Sequence, residues 1–123
     1  MSRIGAIAAL VAAIAPMPVA AAAAPDWVLI GTSGSNADYY IDRASVKIDG
    51  DVRTFAELTA PRSVKMQMVQ HERVDCAKMT LLALDTSIDG AAARPTGDTE
   101  PKAVINGSLG WAIATTACSL PAP

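Results

Sequence analysis

The 123-residue chain carries ten Lys and Arg against twelve Asp and Glu, a formal charge of −2, and 51% of it is hydrophobic. That mildly acidic balance gives no electrostatic reason to expect nucleic acid or an anionic membrane as a partner. A single histidine leaves little from which to build a zinc centre.

Residues 1–24 read as a secretory signal peptide. Arg3 lies in a short basic region, Ile4 to Ala15 is apolar, Pro16-Met17-Pro18 breaks the run, and Val19 to Ala24 supply small residues for cleavage. About 12 apolar residues make about 18 Å of helix, too short for a bilayer core, so no membrane anchor is expected. Cleavage is expected between Ala20 and Pro25, where no cysteine is available for a lipid. Residues 25–123 then form a single exported domain, periplasmic, extracellular or at the cell surface. Setting aside Arg3 leaves nine basic residues against twelve acidic ones, a charge near −3.

Within that domain, Asp26 to Ile30 reads as a strand and Gly31 to Asn36 as a turn. Asp38 to Asp42 (DYYID) pairs back as a second strand. Asp49-Gly50 between two strand-like runs favours a type I′ turn, whose central residues both need positive φ. From Val52 the pattern alternates: Thr54, Ala56, Leu58 and Ala60 share one face, and Arg53, Phe55, Glu57 and Thr59 share the other. Pro61-Arg62-Ser63 stops it. Val64, Met66 and Met68 then alternate with Lys65 and Gln67, the period of a half-buried strand.

Val69 to Leu84 centres on Cys76 and reads as extended chain, ending near Thr86. Its alternation is imperfect, which a bulge or a partly solvated face would explain. Asp89-Gly90 offers a hairpin turn into Ala91–Ala93, and Arg94 to Lys102 is a polar loop. Asn106-Gly107-Ser108 resembles a helix start, with Ser108 or Asn106 as N-cap. Leu109, Ala112, Ile113 and Thr116 follow at helical spacing. Either the helix ends before Cys118 or it is apolar nearly all round. The pattern fits an α+β or mainly-β domain. After export, Cys76 and Cys118 most simply form one disulfide, two free buried thiols being the alternative.

No constellation announces chemistry, so no catalytic, cofactor-binding or metal-binding residue is assigned and no cofactor is expected. His71 has only Glu72 and Asp75 nearby, and on a strand Glu72 points away. Gly31-Thr32-Ser33-Gly34-Ser35 lacks the second glycine of a nucleophile elbow and the lysine of a phosphate loop. Asp38 and Asp42 share a face but read as solvated strand-end carboxylates rather than a glycosidase pair. Met66 and Met68 read as core filling rather than a copper site, and Trp27 and Trp111 as core.

Trp27, Tyr39-Tyr40-Ile41-Asp42 with Ser45, the strand Val52–Leu58 bearing Phe55, Asp75-Cys76 and the final Cys118 occur in an order that resembles the surface-adhesin protein E family. Asn106-Gly107-Ser108 stands where relatives have a Pro-Gly-Ser-like helix start. The resemblance implies an α+β fold: an antiparallel sheet of about six short strands, with a C-terminal helix packed on one face and tethered by Cys76–Cys118. It also implies an exported, non-enzymatic binding module whose partner is an envelope or host matrix protein; a homodimer is compatible with it. The alternative is a small periplasmic enzyme or ligand carrier using a cavity between sheet and helix.

Overall fold

The computed structural model describes residues 24–123, so the signal peptide read at 1–24 falls, but for Ala24, outside the described residues. Eight strands form one antiparallel sheet: β1 (Trp27–Thr32), β2 (Ala37–Asp42), β3 (Lys47–Asp49), β4 (Val52–Pro61), β5 (Met68–Asp75), β6 (Thr80–Ile88), β7 (Arg94–Pro95) and β8 (Lys102–Ala103). Among the described residues one α-helix, α1 (Leu109–Ser119), follows. The order across the sheet is β1-β2-β4-β5-β6-β7, with β3 on β4 and β8 on β6. The expected α+β architecture is the observed one. The strand count exceeds six because β3 and β8, three and two residues long, pair beside the main path on β4 and β6.

Turn chemistry sets the register at each corner. Between β1 and β2, Ser33 N–H donates to Ala37 O and Asn36 takes a φ of 63°, which its short polar side chain tolerates. The β3–β4 turn falls one residue later than expected. Asp49 pairs with Val52, so Gly50 and Asp51 are central, and only Gly50 has positive φ (56°). A type I′ turn needs both central residues there, so that expectation fails. Asp89 and Gly90 do meet the requirement, with φ of 49° and 77°, and Ala91 N–H closes the turn on Ile88 O. The chain beyond rejoins the sheet at Arg94–Pro95 rather than at Ala91–Ala93.

Two segments expected as strands resolve differently. Thr59 pairs with Met68 and β4 ends at Pro61, so residues 62–67 form a bend in which Val64 and Met66 are exposed. Their alternation with Lys65 and Gln67 therefore had no buried face to serve. Val69 to Leu84 is a hairpin, not one strand. Asp75 Oδ1 accepts from Ala77 N–H and Lys78 N–H, both at 3.0 Å, and Met79 turns the chain at φ 50°. The broken alternation has a second cause. His71 pairs with Asp85 but Glu72 with Ala83, so Leu84 is the extra residue of a bulge.

Helix α1 starts at Ser108, whose Oγ accepts from Trp111 N–H at 3.2 Å. It runs through Cys118 and carries no charged side chain, so the second sequence alternative holds: the helix is apolar nearly all round. Thr115 and Thr116 place their hydroxyls on carbonyls of the preceding turn, which makes them tolerable inside it. Ile113, Ala114 and Ala117 pack on Ile41, Val46, Phe55 and Val74, and two of the three helix residues are alanines, which permits close approach. Cys76 and Cys118 form a disulfide beside this cluster, joining the β5–β6 turn to the last turn of α1. Ser108→Ala should lower unfolding free energy by about 1 kcal/mol through loss of the cap, measured by urea titration.

Candidate binding surface and a buried carboxyl pair

Strand register decides which side chains share a face. Ile41, Phe55, Glu57, Glu72 and Val74 face the helix, and the alternate positions form the opposite face. On that opposite face Leu29, Tyr40, Leu58 and Val69 stand directly across from one another on β1, β2, β4 and β5. Leu58 is buried among its neighbours, Tyr40 and Val69 are half-buried, and Leu29 is 56% exposed. This apolar cross-strand row is bordered by a polar one, in which Ala56 faces His71 and His71 faces Asp85. The His71 Nδ1 lies 2.6 Å from Asp85 Oδ1, which fixes the ring's orientation. One step further, Lys47, Thr54 and Arg73 align, with both cations exposed.

The residues weighed in the sequence scatter across this frame. His71 and Glu72 point to opposite faces, and Asp75 is engaged in the β5–β6 turn. Among the described residues no group of three metal-binding side chains gathers. Asp85, the partner His71 does have, lies fourteen residues on and was invisible without the register. Asp38 binds Arg62 and Thr32, and the Arg62 guanidinium and Thr32 hydroxyl hold its carboxyl below the usual range. Asp42 is buried and accepts from Asp26 N–H and Ala44 N–H. Four residues apart on a strand, the two carboxylates stand about 13 Å from each other, too far for a glycosidase pair. Ser33 and Ser35 bond each other within their turn. Met66 is exposed, which corrects its reading as core filling, and Trp27 and Trp111 are half-buried outside the central cluster.

The residues that sequence reasoning missed are Glu57 and Glu72. Phe55 pairs with Glu72 and Glu57 with Gln70, so the two glutamates are diagonal neighbours on the helix face. They are 3% and 4% exposed, and an Oε2 of each lacks a hydrogen-bond partner. Burial pushes the Glu72 carboxyl up to about 10, helped by its hydrogen bond to Glu57 and by that group's charge. Glu72 is therefore neutral at physiological pH and can donate its proton toward Glu57. Helix α1 offers no cation in compensation. A polar residue beside Phe55 in an alternating strand looks solvent-facing, and nothing local distinguishes it.

The surface-adhesin protein E family matches residues 27–119. The chain belongs to that family. The match runs from the first residue of β1 to the last of α1, so it spans the whole sheet, the helix and both cysteines. No curated protein and no solved structure matches the chain. In this surface-adhesin protein E domain the disulfide and helix brace one side of the sheet, and the other side presents the row from Leu29 to Val69. Apolar contact flanked by charged and hydrogen-bonding rows is the chemistry of a protein interface.

Proposed function

We propose that this surface-adhesin protein E domain is an exported, non-enzymatic binding module whose open sheet face engages an envelope or host matrix protein. The observation that carries the reading is the row Leu29, Tyr40, Leu58 and Val69, aligned across four strands with Leu29 standing 56% exposed at its end. Contact energy at such surfaces concentrates in a few large side chains, with the polar surroundings adding little individually. The polar atoms of Ser33, Asp38 and Asp42 are occupied by turn and strand-end contacts, so they do not converge on a reacting group.

Immobilised matrix and serum proteins, presented as a purified panel, test it by biosensor. Leu29→Asp and Tyr40→Ser should each weaken binding of the captured partner at least tenfold at unchanged melting temperature. His71→Ala should change it less than twofold. Equal binding by wild type, Leu29→Asp and Tyr40→Ser would remove the open face from the reading.

A further inference from the structure

A second surface feature lies at the far edge of the sheet. Strands β7 and β8 pair with β6 at Asp85–Thr86 and Thr80–Leu81, and no ladder fills the gap between them. Thr96 partly bridges that gap, its hydroxyl on Ala83 O and its N–H on Leu84 O. The result is a cleft of about 300 Å³ between β6, β8 and the first turn of α1. Leu81, Ala83 and Val104 contribute apolar walls, and Ile105 at the rim is 76% exposed, the highest value among the exposed large hydrophobic residues. Asp98 and Glu100 also line it, and among the described residues neither forms an ion pair. Lys102 is the one cation beside them, so the rim carries a net negative charge.

We propose that this cleft is a binding site for an apolar side chain of a partner polypeptide, one flanked in that partner by Lys or Arg. The inference deepens the reading of the domain as a protein-binding module and rests on it. Small-molecule sites enclose most of their ligand, whereas this cleft opens to solvent past Ile105. A single side-chain anchor needs only its own apolar surface covered, while the rest of the segment crosses the rim. Along that rim Asp98 and Glu100 favour a cationic neighbour and disfavour an acidic one.

The probe is an end-blocked synthetic peptide, Lys-Leu-Lys-Phe-Lys, titrated into the purified protein and followed by amide NMR shifts. Controls replace its lysines by glutamate or its apolar residues by serine, and decyl maltoside supplies an apolar chain without a polypeptide. Shifts should localise to Ala83, Val104, Ile105 and Gly110, and neither control peptide should reproduce them. Ile105→Ser and the double substitution Asp98→Asn with Glu100→Gln should each weaken binding at least tenfold. Gly110→Ala gives a variant expected to fold, since an added Cβ would meet Ser108 Oγ and Val104 Cγ1 at an ordinary 3.7 Å. It should weaken the peptide while leaving the melting temperature equal or higher.

Silence at these amides, equal binding of the glutamate peptide, or displacement of the peptide by decyl maltoside would each overturn the proposal. If the cleft is silent but matrix proteins bind in a Leu29-dependent way, the cleft alone fails. If the peptide binds the cleft and no panel protein binds the domain, the adhesive reading fails instead.

Discussion

Glu72→Gln should make the protein more stable at neutral and alkaline pH than the wild type. In the folded chain the Glu72 carboxyl is raised to about 10, while unfolding returns it to an ordinary value near 4.5. A raised carboxyl binds more protons folded than unfolded, so its stabilising contribution is complete below about pH 4.5. It declines as pH rises and is lost once pH passes the folded value near 10. The slope is about 1.4 kcal/mol per pH unit for one proton, so on the order of 3 kcal/mol has gone by pH 7. Glutamine keeps the shape, cannot ionise and can donate an N–H to Glu57. The groups directly across from or beside the pair, Ile41, Phe55, Gln70 and Ala83, with Thr86 opposite Gln70, carry no charge; Arg53, two residues before Phe55 on the same face, donates from Nη1 to Gly50 O. Urea unfolding at pH 5, 7 and 9 should show a slope one proton shallower in Glu72→Gln. Parallel slopes would place the proton elsewhere.

Removing the disulfide should cost about 2–5 kcal/mol. Cys76 and Cys118 are 42 residues apart, and the chain-entropy estimate for a loop of that size is about 4 kcal/mol. The bridge acts on a sensitive place, because α1 supplies Ile113, Ala114 and Ala117 to the core while being only 11 residues long. A helix of that length has little stability of its own. Cys76→Ala with Cys118→Ala, and wild type under reductant, should both shift the urea midpoint down by a similar amount. A double variant that unfolds at the wild-type midpoint would show that packing alone holds the helix.

Local rules exposed part of the fold, although Asp49-Gly50 did not form the type I′ turn it favours. Asp89-Gly90 met the demand for two positive φ angles, Ser108 capped the helix, and the two cysteines formed their bridge. It misled where pairing decided the outcome. Val64 and Met66 alternate like a strand, yet β4 pairs from Thr59 onto Met68 and leaves them in the bend. The stretch through Cys76 hides a turn because its signals are an Asp side chain and a Met at φ 50°, neither of which is a Gly or Pro. The apolar row on the open face was half legible: β4's alternation showed Leu58, but its neighbours Leu29, Tyr40 and Val69 come from three other strands. Glu57 and Glu72 were opaque because their proximity exists only once β4 and β5 are in register.

The covalent loop also changes how the domain responds to tension. For a chain pulled from both ends, residues between Cys76 and Cys118 are shielded from the load. At about 3.5 Å per residue they hold back on the order of 150 Å of contour length. Force would therefore fall first on β1 and β2, at the edge of the sheet, where β1 has only β2 as a strand partner. Strand by strand, the first half of the domain could pay out while the β5–β6 turn and the helix stayed bolted together. The pulled chain would then extend by a limited length, with the segment between the two cysteines held back.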